Sequence, residues 1–231
     1  MGQLDLFKIN VECGIYDEEY VYGEDKNKFW PVLQPMPLPY KWQPAINRKY
    51  SVVFTSKLAV KFFSQWSFLS NAEYVCAVGK QTAELVQKKV NSPVLHPREE
   101  GLFNLLTETN FSHHSIVYIF TALNGKTPST LKQISQQHPA LQYEMLSVYS
   151  LETFKNNFLE RLFLKEACTK NVQFIFNCYS GMVLTTVVKQ LQTFFSCTSP
   201  CLLPSFIYFS ARKQTVKNEL QVLGLIDKIQ A

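Results

Sequence analysis

SVVFTSKLAV at residues 51–60 and VCAVGKQTAELVQK at residues 75–88 decide the fold of this chain. Each is an apolar run that breaks at small or hydroxylic residues and resumes with helical spacing, the pattern of a buried strand turning into a helix. Residues 52–54 form the first strand, and Thr55 and Ser56 are suited to cap the helix behind it. Residues 75–78 form the second strand; Gly79 permits the tight turn, and Thr82 stands in the first turn of the next helix. Turns of this kind gather free backbone N–H groups beside small hydroxyls, which makes them natural anion sites.

The same phrase comes twice. FIFNCYSGMV at residues 174–183 echoes the first piece, and FIYFSARKQTVKNEL at residues 206–220 echoes the second. The tripeptide Lys-Gln-Thr occurs at 80–82 and again at 213–215, each time a few residues past an apolar strand. The chain therefore reads as two similar α/β halves.

Composition narrows the function classes. With 231 residues, 46% of them hydrophobic, the chain is long enough for one large domain or two of about a hundred residues each. No run of eighteen apolar residues exists, and the first residues lack both a signal peptide and a myristoylation pattern, so a cytosolic protein with no membrane span is expected. The net charge of +5 is too small and too dispersed for a nucleic-acid stripe; it suits a polyanionic small molecule, and equally an ordinary solvated surface. Of the six cysteines, Cys76 and Cys178 fall inside apolar runs as core thiols. Cys197 and Cys201 lack the further ligands a zinc site needs, so no metal and reduced thiols are expected. Nucleophile-elbow, Walker and Gly-x-Gly-x-x-Gly patterns are absent.

Along the chain, residues 4–10 read as a strand, while the acidic, Tyr-rich residues 16–28 fit a short helix or a loop. Residues 30–40 hold four prolines, which predicts an extended segment or an edge, not a helix, read as a strand passing into a linker; Trp30, Tyr40 and Trp42 fit a ligand wall or, more commonly, packing. From residue 51 strands and helices alternate, with strands at 94–95, 116–120 and 142–149 and helices at 81–89, 101–107 and 130–137. Leu151, Phe154, Phe158, Leu162 and Leu164 predict a helix over residues 150–170, followed by a strand at 172–176, a helix at 181–195, a loop at 197–204, a strand at 206–209 and a helix from 215 to 223. Strand–helix alternation implies parallel sheets with ligands at the strand C-terminal ends. Two strands are too few for the second half to stand alone, so the N-terminal strands join it. The expectation is a discontinuous first domain of residues 1–38 and 151–231, an inserted second domain of residues 41–148, and linkers near 38–41 and 148–151.

The order of these pieces resembles the uroporphyrinogen-III synthase family. Phe-Thr-Ser-x-x-Ala-Val at 54–60, Val-Gly-x-x-Thr-Ala at 78–83, Glu-Gly-Leu at 100–102 and Val148-Tyr149 carry the likeness, with residues 176–181 and 210–215 at the matching turns of the other half. The resemblance implies two α/β domains joined by a two-strand linker, with the site in the cleft between them. It also implies a monomeric, cofactor-free enzyme of haem biosynthesis, a cyclising hydro-lyase acting on the linear tetrapyrrole hydroxymethylbilane. That enzyme removes the terminal hydroxyl as water and closes the ring with ring D inverted, through an azafulvene cation and a spiro intermediate. By the same resemblance Tyr149 assists departure of the leaving water, Thr82 and Thr215 hold substrate carboxylates, and Thr55, Ser56, Val78, Gly79, Ser180 and Gly181 line the cleft. The plainer alternatives are helix caps for Thr55, Thr82 and Thr215, and an amphipathic sheet-end residue for Tyr149. The family's Thr-Arg-Pro after the first strand is missing, Asn177-Cys178-Tyr179 replaces Ser-Pro, and Ser210-Ala211-Arg212 replaces an Ile-Gly turn. These departures set a competing expectation, a non-catalytic ligand- or partner-binding protein on the same scaffold.

Overall fold

The computed structural model describes residues 7–16, 29–45, 47–112, 114–123, 125, 127–166, 172–211 and 214–230. Their strands are β1 (Phe7–Ile15), β2 (Phe29–Pro37), β3 (Tyr50–Phe54), β4 (Tyr74–Ala77), β5 (Val94–Leu95), β6 (Ile116–Ala122), β7 (Gln142–Thr153), β8 (Val172–Cys178), β9 (Ile207–Ser210) and β10 (Ile229–Gln230). The α-helices are α1 (Lys57–Phe62), α2 (Lys80–Gln87), α3 (Leu102–Glu108), α4 (Thr127–Gln137), α5 (Phe158–Glu166), α6 (Gly181–Phe194) and α7 (Gln214–Val222). The chain divides into two compact units, Pro35–Leu151 and the pair Met1–Gln34 with Glu152–Ala231.

In the Pro35–Leu151 unit the strands lie in the order β7-β6-β3-β4-β5 and pair in parallel. Alternate residues of a strand face opposite sides of a sheet. Val52, Phe54, Tyr118, Phe120 and Val148 accordingly share one core with Ala59 and Val60 of α1 and Val86 of α2. Val53, Cys76, Val117 and Ile119 share the other with Leu102, Leu105 and Leu106 of α3 and Leu131 and Ile134 of α4. Helices thus cover both faces, which is why β3 and β6 read as continuous apolar runs. Trp42 fills the first core, with its ring against Phe63, Tyr118 and Phe120, so its role is packing.

In the other unit the order is β10-β9-β8-β1-β2, again parallel. Trp30, fully buried, packs on Phe158 of α5 and on Phe176 of β8, which in turn meets Phe209 of β9. Burying such a side chain contributes about 1.5–3 kcal/mol. β10, unforeseen from its composition, adds a short strand beside β9.

Three expectations from the sequence are narrowed or corrected. The run at 30–40, expected to be extended or an edge, is the strand β2, which pairs with β1 on one side and is hydrogen-bonded on the other as well. Pro31, Pro35 and Pro37 share parity, so their missing N–H groups all fall on one side, where Leu33 accepts a hydrogen bond from Tyr16 N–H. The even residues keep that side free of conflict and bond the other way: Phe154 N–H donates to Val32 at 2.9 Å, and Leu38 N–H donates to Val148 at 3.0 Å. The helix expected at 150–170 is the second correction. β7 continues to Thr153, and Asn156 Oδ1 accepts Phe158 N–H at 2.9 Å, so α5 starts only at Phe158. The helical spacing of Leu151 and Phe154 was coincidental; tertiary pairing overrode it. Third, the loop at 197–204 contains a 3-10 turn, Pro200–Leu202. The expectations for residues 4–6, 17–28 and 167–171 fall outside the described residues.

Candidate active site

β3 ends at Phe54, and the two hydroxyls after it do different work. Thr55 stays tied to β6: its N–H and its Oγ1–H both donate to the Phe120 carbonyl, at 3.1 and 3.0 Å. Capping therefore falls to Ser56 alone, whose extended backbone precedes α1 and whose Oγ accepts Ala59 N–H at 3.0 Å. The same Oγ lies 3.0 Å from the hydroxyl of Tyr149. Tyr149 stands in β7 beside Ala122 of β6, is only 5% exposed, and stacks on Phe62 of α1 with ring centroids 5.8 Å apart. Burial pushes its phenol above the ordinary tyrosine range, and the hydrogen bond with Ser56 opposes that in smaller measure. The structure thus brings Thr55, Ser56 and Tyr149 to one place, the C-terminal ends of β3, β6 and β7.

The next turn follows β4. Val78 has little to offer a ligand through its backbone, since its N–H donates to Phe54 at 3.1 Å and its carbonyl accepts Gly101 N–H at 2.8 Å. Gly79 precedes α2 and supplies no side-chain cap, so the N–H groups of the first turn, Lys80 to Thr82, are left for other acceptors. Thr82 is 7% exposed, and among the described residues its hydroxyl has no hydrogen-bond partner. The backbone of Gly79 is extended, which any residue can adopt, and a Cβ there would lie 2.7 Å from Oε1 of the exposed Glu100 side chain, which would have to swing aside. An exposed carboxylate beside a helix N-terminus is electrostatically favourable.

In the Met1–Gln34 and Glu152–Ala231 unit, Ser180 repeats the part of Ser56 as a cap: its Oγ accepts Val183 N–H at 3.2 Å ahead of α6. Gly181 is the first residue of α6, and a Cβ there would lie 3.3 Å from Glu219 Oε2. Glu219 accepts the Thr185 hydroxyl at 3.0 Å. Thr215 is the second residue of α7; its side chain, like Arg212 and Lys213, lies outside the described residues.

Sequence reasoning missed a third group in this unit. Glu12 of β1 accepts hydrogen bonds from Asn177 Nδ2 and from Tyr179 OH, both at 2.8 Å. Asn177 is 4% exposed and sits directly across the β1–β8 register from Glu12. No local signal sets Glu12 apart from Lys8 and Asn10, the other polar residues that alternate along β1; only the register makes the pair. Carboxylates therefore stand beside turns of both units, Glu100 at Gly79 in one and Glu219 at Gly181 in the other, where Glu12 also holds Asn177 and Tyr179.

No protein-family model matches the sequence, and no curated protein matches it either. The structure is similar to the crystal structure of uroporphyrinogen-III synthetase from Helicobacter pylori, with a TM-score of 0.59 and 17% sequence identity over 96% of this chain and 92% of that one. The chain has the fold of that enzyme. Among the described residues no helix is long and apolar enough to cross a membrane.

Proposed function

We propose that this protein is a uroporphyrinogen-III synthase, cyclising hydroxymethylbilane to uroporphyrinogen III with loss of water and inversion of ring D. The observation that carries the proposal is the Tyr149 hydroxyl, buried at the end of β7 and hydrogen-bonded to Ser56, in a chain with the fold of the Helicobacter pylori enzyme. A protonated phenol has a proton to give, and the reaction begins with departure of a hydroxyl that must leave as water. In this role Tyr149 donates to the terminal hydroxyl oxygen of the bilane, the C–O bond breaks, and a delocalised azafulvene cation forms. Attack of the ring D carbon through a spiro intermediate, re-closure and loss of a ring proton complete the reaction, and the phenol recovers a proton.

The substrate carries eight carboxylates, which would meet the first-turn N–H groups of α2, the hydroxyl of Thr82, unpartnered among the described residues, and Gly79, Ser180, Gly181 and Thr215 at the strand–helix turns. Thr55 and Val78 hold that frame in place, since their polar groups are tied to neighbouring strands. No cofactor enters this chemistry, and the protein is proposed to act as a cytosolic monomer.

One observation favours the second reading, a binding protein without catalysis. Glu12 and Glu219 put carboxylates near the strand ends of one unit, where a polyanion would be repelled. A coupled assay decides between the two. Hydroxymethylbilane is generated in place by its upstream synthase, and the type I and type III isomers are separated by chromatography. Predominantly type III product supports the enzyme. Type I alone, the product of spontaneous closure, overturns it and leaves the binding protein.

A further inference from the structure

Ser56 has two neighbours and one proton. Its Oγ accepts the N–H of Ala59, which occupies one of its two lone pairs, and it lies at the same 3.0 Å from the hydroxyl of Tyr149. A hydroxyl that accepts a hydrogen bond becomes a stronger donor, because the chain of dipoles polarises along its length. The reverse arrangement, tyrosine donating to serine, would leave the phenol with no hydrogen for a substrate.

We propose that Ser56 is the positioning residue of Tyr149: it donates its hydroxyl hydrogen to the phenol oxygen and so turns the phenol O–H away from α1 and toward the leaving hydroxyl of the bilane. This deepens the role given to Tyr149 above and rests on it. When the phenol proton moves to the leaving oxygen, the C–O bond breaks, water departs, and the phenolate left behind is held by Ser56 O–H while the cation forms. The proton lost from ring D at the end restores the phenol, so the cycle closes without another reactant. The hydrogen bond then strengthens as the step proceeds, which is the condition for it to raise kcat more than it changes KM.

Capping and positioning are separable. Ser56→Thr keeps both the acceptor for Ala59 and a hydrogen to donate, whereas Ser56→Gly removes the hydroxyl at a cap position where glycine is nearly as good. The backbone of Ser56 is extended, so either residue fits. In the coupled assay Ser56→Gly is expected to lower kcat for the type III isomer about tenfold with KM little changed, and Ser56→Thr to restore it. In a Tyr149→Phe background Ser56→Gly should cost nothing further, since there is no phenol left to position. A second readout needs no turnover. The tyrosinate absorbance of each form, minus that of its Tyr149→Phe counterpart, reports ionisation of this one phenol; it should shift to higher pH in Ser56→Gly and return in Ser56→Thr.

A Ser56→Gly protein with wild-type kcat and an unmoved titration overturns the inference. So does a loss that adds in full to that of Tyr149→Phe. If the wild-type protein makes only the type I isomer, the enzyme reading falls, and the titration alone then tests whether Ser56 donates to Tyr149.

Discussion

Ser56 and Ser180 follow two apolar strands in the two units, and each caps the helix behind it, through Ala59 N–H at 3.0 Å and Val183 N–H at 3.2 Å. What surrounds them differs. Ser56 meets Tyr149. Ser180 follows Asn177, at the end of β8, and Tyr179, both bound to Glu12. The local grammar is shared because strand–turn–helix junctions all face the same shortage of acceptors for first-turn N–H groups. The chemistry is set elsewhere, by a residue from a neighbouring strand: β7 brings a phenol and β1 brings a carboxylate. One pair of turns teaches that a cap is a structural solution with a spare hydrogen, and that its use depends on what the sheet order places beside it.

The largest test of this contrast is the pair of tyrosines. Tyr149→Phe should lower the type III rate by about 100-fold, the low end of what general acid catalysis contributes. Tyr179→Phe removes an exposed phenol that serves Glu12, and should leave the rate within about twofold. Equal losses would erase the distinction between the two strand ends.

The next effect is on stability. Glu12→Ala would leave the buried Asn177 amide without its acceptor, and removing the partner of a buried donor costs about 2 kcal/mol. Glu12→Gln keeps an acceptor and should cost less. Urea denaturation of both proteins measures the difference. A Glu12→Ala protein as stable as wild type would mean that this carboxylate does not hold the strand end together.

Alkali asks how alike the two cores are. Burial pushes the Cys76 thiol in β4 from 9.0 to about 12 and the Cys13 thiol in β1 well above its ordinary value. Folding therefore favours the protonated thiols. As pH rises above 9 the unfolded chain releases these protons and the folded chain does not, so stability falls through the window from 9 to about 12. Cys76 alone accounts for about 1.4 kcal/mol per pH unit there. Cys76→Ala should flatten the slope of stability against pH without abolishing it, because Cys13 remains. An unchanged slope would show that Cys76 is not held away from water.

Much of this was legible in the residues. The strands β3, β4, β6 and β8 announced themselves as β-branched and aromatic runs, and Ser56 and Ser180 stood where caps belong. What was not legible depended on neighbours distant in sequence. The proline parity of β2 makes sense only once its partners are known, with Tyr16 N–H on Leu33 and Phe154 N–H on Val32. Leu151 and Phe154 fitted a helical spacing as well as a strand, and the bond from Phe154 N–H to Val32 decides between them. Glu12 carries no local mark; its meaning lies in the register with Asn177. Tyr149 was singled out by resemblance, yet its tie to Ser56 joins residues 93 positions apart and no spacing rule predicts it.

The smallest effect is also the closest comparison, alanine at each of the two serines. Both lose a cap, and both should lose about 1 kcal/mol of stability. The functional consequences should part. In Ser180 the oxygen is committed to Val183 N–H while the hydroxyl hydrogen remains to be given to a substrate carboxylate, an interaction made equally before and during the reaction. Ser180→Ala should therefore raise KM by about threefold and leave kcat near wild type. Ser56→Ala should do the reverse, since the hydrogen it removes is directed at Tyr149 and matters when the phenol gives up its proton. The same substitution in the same structural position would then separate binding from catalysis, and a shared KM effect would instead make both serines plain carboxylate ligands.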